Sequence, residues 1–168
     1  RIGASTNTFA ATVDASGKWA LTLTKAQIET IGQGAKLVTV TNTDTFGNAT
    51  AGTAKSITID TIAPTAPVLS NSTVLQDGFI NLAESNTAGG VVLSGTTELG
   101  SAVSLRIGSS ATPLNAAVDA SGNWSLTLTK QQIETIGQGA KPITITSTDA
   151  AGNATVLNAR TVRSEERR

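Results

Sequence analysis

The sequence predicts an all-β protein made of two copies of one sandwich module, the first copy incomplete. Three observations carry this expectation. Only 14% of residues are charged and 3% aromatic, and threonine, alanine, serine, glycine and valine dominate, a composition suited to short strands with small side chains. Apolar residues alternate with polar ones over short runs bounded by turn residues. Finally, Val13 to Thr50 lies over Val118 to Thr155 with about three-quarters of positions matching, at a constant offset of about 105 residues and without a gap.

The second copy shows the full set of elements. Pro67 to Leu69 reads as an edge strand, where the missing proline donor is harmless. Asp77-Gly78 turns the chain. Val91 and Leu93, then Val103, Leu105 and Ile107, define two half-buried strands joined through Gly95 to Gly100. Leu114, Ala116 and Val118 repeat the alternation. Asp119-Ala120-Ser121-Gly122-Asn123 is a tight reversal, after which Trp124, Leu126 and Leu128 face inward. The period then changes: Thr129 and Gln132 form a capping box, Leu128 and Ile133 a hydrophobic staple, and Gly137 a left-handed stop. A short helix between the fifth and sixth strands follows, capping one end of the sandwich. Ile143 and Ile145 mark the penultimate strand, Thr148 to Asn153 a turn, and Val156 toward Val162 the last strand.

The first copy repeats these elements through Trp19, Leu23, Thr24, Gln27, Ile28, Ile31 and Gly32. Both tryptophans, Trp19 and Trp124, are expected on the apolar face. The match reaches back only to Ile2-Gly3 on Ile107-Gly108, so the opening strands of the first copy are missing. The chain begins at Arg1 in mid-pattern, which reads as an internal piece of something longer. The expected division is residues 1–62 as an incomplete module, 63–163 as a complete one and 164–168 as a charged tail. About seven strands, with turns about every ten residues in a module of about 100, are the pattern of an immunoglobulin-like sandwich. The modules are joined by Asp60-Thr61-Ile62-Ala63-Pro64-Thr65-Ala66-Pro67, in which two prolines fix φ and favour a short, stiff strut.

Lysine plus arginine number 12, as do aspartate plus glutamate, so there is no basic field to hold nucleic acid. Histidine and cysteine are absent, which removes the commonest general base, the commonest zinc ligand and all thiol chemistry. No catalytic role is expected. No apolar run is long enough to insert in a membrane. What remains is carboxylate chemistry. If the strands alternate in direction, the loops holding Glu98, Asp119 and Asp149 share one pole of the second module, where the linker carrying Asp60 enters. Calcium takes six to eight hard oxygen ligands in irregular geometry and suits such a junction. The competing reading is that Asp119 and Asp149 only cap their own turns, Asp119 above all.

Val118 to Leu128, Thr148 to Asn153 and Asp60 to Pro67 resemble, in sequence and order, the tandem bacterial immunoglobulin-like repeats of giant type I-secreted adhesins of Gram-negative bacteria. The resemblance implies an extracellular, cell-surface extender stalk with calcium between modules, its ligands Asp60, Asp149 and Glu98. The expected partners are neighbouring repeats and a second copy of the chain completing the first module. Two alternatives are a glycan- or protein-binding module, with Phe46 and Phe79 as its loop aromatics, and an accessory domain of a secreted hydrolase.

Overall fold

The computed structural model of the chain describes residues 1–4, 8–70 and 77–165. They fall into two units, Arg1–Thr61 and Ile62–Arg168.

In the first unit, β1 (Thr12–Val13) pairs with β2 (Trp19–Ala20), and helix α1 (Lys25–Ile31) follows. Then β3 (Gly34–Val38) pairs antiparallel with β6 (Lys55–Ile59), and β4 (Thr41–Thr43) with β5 (Ala49–Ala51). The core is small: Ile2, Ile31 and Ile59 are buried, with Phe9, Leu21, Leu23, Ile28 and Val38 packed against them. Trp19 is 51% exposed, which corrects the expectation of core packing. Its alternation is that of an inward residue, but among the described residues its own sheet is only the β1–β2 pair.

The second unit is a two-sheet sandwich. Its elements are β7 (Val68–Leu69), β8 (Phe79–Asn81), α2 (Leu82–Ser85), β9 (Val91–Thr96), β10 (Ala102–Ile107), β11 (Leu114–Asn115), β12 (Ala117–Val118), β13 (Asn123–Leu128), α3 (Lys130–Ile136), β14 (Gly139–Thr148) and β15 (Ala154–Glu165). One sheet has the order β11-β10-β14-β15-β8 and the other β12-β13-β9-β7. The chain changes sheet at Ala116, whose N–H donates to the carbonyl of Val103 at 2.9 Å. The period-two pattern works out as expected: Val91, Leu93, Val103, Leu105, Ile107, Trp124, Leu126, Leu128, Ile143 and Ile145 are buried between the sheets, each contributing about 1.5–3 kcal/mol of transfer free energy.

The helices follow their sequence signals. Thr24 and Thr129 accept from the N–H groups of Gln27 and Gln132, whose side chains return to the cap N–H, a complete capping box in each copy. Gly32 and Gly137 end them at φ 76° and 74°. Helix α2 was not anticipated, although Asn81 and Glu84 have the capping-box spacing and form one.

Two further differences concern β8. Phe79, expected as a loop aromatic, lies half-buried in that strand. Its partner is the end of β15, paired in parallel through Arg163↔Phe79, Ser164↔Ile80 and Glu165↔Asn81. Ser164 is buried, so residues 164 and 165 extend the last strand where a charged tail was expected. A parallel partner about eighty residues earlier leaves no trace in local periodicity. Residues 166–168, the rest of that expected tail, lie outside the described residues.

Candidate functional site

Four hydrogen bonds define the pole at which the chain enters the second unit. Thr65 N donates to Glu98 Oε2 at 2.9 Å, tying the entering segment to the β9–β10 turn. Thr155 Oγ1, at the start of β15, donates to the Pro64 carbonyl at 2.5 Å. Thr97 N donates to the Gly122 carbonyl at 2.8 Å, joining the β9–β10 and β12–β13 turns. The hydroxyls of Thr97 and buried Ser147 share a bond of 2.7 Å, joining that turn to the end of β14. The turns that carry Glu98, Asp119 and Asp149 therefore sit at one pole, with Pro64 and Pro67 buried beside them.

The carboxylates themselves are engaged locally. Asp119 Oδ1 accepts from the N–H groups of Ser121 at 2.8 Å and Asn123 at 2.9 Å, while Oδ2 accepts from Asn123 Nδ2 at 2.9 Å. Asp149 repeats the pattern with Ala151 and Asn153. In the first unit Asp44 does the same with Phe46 and Asn48, while Asp14 Oδ1 accepts from the Ser16 and Lys18 N–H groups and from the Ser16 hydroxyl. The Asn123, Asn153 and Asn48 side-chain amides, and the Ser16 hydroxyl, hold these carboxyls below the usual aspartate value. Each is an Asx-type turn that adds to the backbone bonds across the reversal, such as Asp119 N to the Asn123 carbonyl at 2.8 Å and Gly122 N to the Asp119 carbonyl at 3.1 Å.

Glu98 is exposed and its bonded oxygen is given to the linker backbone. Asp60 is exposed, directly after β6. Among the described residues, no group of three or more acidic side chains stands close enough to hold a metal ion. One buried polar atom at this pole lacks a partner, Ser101 Oγ, and a single neutral hydroxyl is no cation site. The residues of the second unit therefore do not by themselves fit a calcium ion, which needs six to eight oxygens. The bond from Glu98 to Thr65 is the feature that sequence reasoning missed, because a glutamate facing a linker N–H has no signature in spacing.

Residues 82–163 match the bacterial Ig domain family, and the sandwich of the second unit is of that immunoglobulin-like type. No curated protein matches. Among solved structures, a Ca2+-stabilized adhesin that helps an Antarctic bacterium reach out and bind ice is 28% identical, over 99% of this chain and 40% of that one, with a TM-score of 0.47. A tetra-tandem repeat from the extending region of a large adhesion protein is 25% identical, over 98% and 40%, with a TM-score of 0.45. A 1.5-MDa bacterial ice-binding adhesin, studied for its host cell surface retention, is 27% identical over 93% and 49%, with a TM-score of 0.44. The chain spans 40% of the length of the first two. At these TM-scores the fold rests on the sheet order and the family match. Among the described residues no helix is long and apolar enough to cross a membrane.

Proposed function

We propose that the chain is a non-catalytic spacer of an extracellular bacterial adhesin, a piece of stalk that transmits tension between what lies before and after it. The observation that carries this function is the pairing of β15 with β8. Force entering the second unit through Ile62 and leaving through the end of β15 runs along the two strands in opposite directions. They are parallel, so their hydrogen bonds are loaded in shear and must break together. Strand β15 is also paired along its length with β14, from Gly139↔Ser164 to Thr148↔Ala154. Three sequence features agree with a stalk: the repeat at constant offset, the proline-fixed linker and the resemblance of the turn motifs to adhesin repeats.

A force-ramp pull on the intact chain tests this. A stalk module gives an unfolding event for the second unit at high, reproducible force; unfolding near the instrument's baseline would overturn the assignment.

The finer proposal is that calcium stiffens the joint through Asp60, Asp149 and Glu98, with Asp119 only forming its turn. Its support is the resemblance; the Asp149 and Glu98 oxygens at the entry pole accept from N–H groups. A ligand bound only by the folded state raises its stability, so melting in millimolar calcium should exceed melting in chelator. Asp60→Ala with Asp149→Ala should remove the difference. Equal melts would leave those residues as turn formers.

A ligand-binding role has one observation in its favour, Phe46 at 92% exposed on the β4–β5 turn. Ala151 holds the matching place in the second unit, so a shared aromatic platform is not part of the module. Glycan binding that is lost in Phe46→Ala would favour this role.

A further inference from the structure

The two copies of the module differ in where they place a phenylalanine ring. In the repeat register Phe9 matches Leu114, and Phe46 matches Ala151. In the first unit Phe9 packs against the buried cluster of Ile2, Ile31 and Ile59. In the second unit the matching residue is the shorter Leu114, Ile136 at the end of α3 is only half-buried, and a cavity of about 190 Å³ opens between α3 and the β10–β11 connection. Its apolar part comes from Ile107, Leu114 and Ile136, its polar part from Gln131, Gln132 and Thr135. A cavity of about 150 Å³ with an aliphatic lining holds one benzene ring, whereas drug-sized ligands need about 300 Å³ or more.

The first unit, in turn, presents a ring outward. Phe46 is 92% exposed on the β4–β5 turn. That turn is held by bonds from Phe46 N and Asn48 N to Asp44 Oδ1 at 2.9 and 2.8 Å, and from Gly47 N to the Asp44 carbonyl at 3.1 Å. A ring carried on a turn already fixed loses little freedom when it is seated.

We infer that the cavity of the second unit is a binding site for one aromatic ring, filled by Phe46 of a second copy of this chain. Phe9 shows which side chain the module accepts at that place, and Phe46 is the same side chain left bare. Ring and cavity lie on different surfaces, so the contact is heterologous, and each copy still has a ring or a cavity to offer to a third. One aromatic side chain covers about 150–250 Å², well below the roughly 1,200 Å² of an interface stable on its own. The contact is therefore weak between single molecules and gains strength where many chains stand side by side. That purpose rests on the spacer function; the contact itself does not.

Nuclear magnetic resonance of the full chain tests it. Isotope-labelled Phe46→Ala keeps the cavity and lacks the ring, and the unlabelled parent supplies the ring. Adding the parent should shift the Gln131, Gln132, Thr135 and Ile136 amides saturably, with half-saturation in the millimolar range, while unlabelled Phe46→Ala should leave them unmoved. N-acetylphenylalaninamide, the same ring free of the chain, should move the same amides. Adding Leu114→Phe to the labelled variant puts into the cavity the residue the first unit has there, and should abolish both responses with melting unchanged. If that variant misfolds, the comparison of parent with Phe46→Ala, altered only at an exposed turn, still decides. Amides that stay in place with parent and probe alike would overturn the site. Movement with the probe but not with the parent would overturn the second copy as occupant. A difference between parent and Phe46→Ala at those amides that persists on dilution would do the same. A low unfolding force together with shifts that depend on Phe46 would sink the spacer function and leave the contact standing.

Discussion

The indole Nε1 of Trp124 donates to the carbonyl of Val68 at 3.1 Å, and the bond passes over Gly95. A Cβ on Gly95 would stand 1.8 Å from that carbonyl and 2.8 Å from Cε2 and Cζ2 of the indole. The absent side chain lets edge strand β7 and the largest core residue approach the same point of β9. Gly95→Ala should therefore destabilise the second unit by about 2–3 kcal/mol or more, through overpacking against backbone that cannot yield. The midpoint of urea unfolding measures it, and a loss below about 0.5 kcal/mol, the scale of ordinary surface changes, would show that β7 is not fixed there.

The two tryptophans occupy matching positions and should behave oppositely. Trp124 is 1% exposed and Trp19 51%. Trp124→Ala should cost about 3–5 kcal/mol in the second unit, and Trp19→Ala about 0.5 kcal/mol or less in the first. Single-tryptophan variants report this independently: Trp19 emission should be quenched by acrylamide and Trp124 emission protected.

Acid should weaken the turns. The folded carboxyls of Asp119 and Asp149 titrate below the usual value because the Asn123 and Asn153 amides favour the charged form. A lowered folded value means that the unfolded chain takes up protons first as pH falls. The contribution is fully present above about pH 4, the unfolded aspartate range, and is lost as pH drops through the lowered folded values. Melting temperature followed from neutral pH downward should hold level and then fall below that range. The fall should be shallower in Asp119→Asn with Asp149→Asn, and an equal fall in that variant would place the acid sensitivity elsewhere.

How far the sequence reached depends on how local each signal is. Capping boxes at Thr24 and Thr129, the Asx turns and the inward runs Trp124-Leu126-Leu128 and Val103-Leu105-Ile107 are written within a few residues, and the structure places them as expected. Trp19 has the same local pattern but is 51% exposed, because burial depends on what packs over a strand and not on alternation within it. The β8–β15 pair and the Glu98–Thr65 bond join residues far apart in sequence, and no periodicity encodes them. The shared pole of Glu98, Asp119 and Asp149 was legible from strand alternation alone. That the Asp119 and Asp149 oxygens would be spent on N–H groups next to them was legible only as the competing turn chemistry.

The central claim is that the second unit carries tension through the parallel pair of β8 and β15, and force-ramp pulling of the full chain tests it most directly when combined with changes at Ile80. Ile80→Pro removes a backbone donor from the pair, while Ile80→Ala loses the same buried side chain but keeps its N–H. The account predicts a high unfolding force in the parent, a force retained in greater part by Ile80→Ala, and a collapse in Ile80→Pro. A low force in the parent, or equal forces in the two variants, would contradict it.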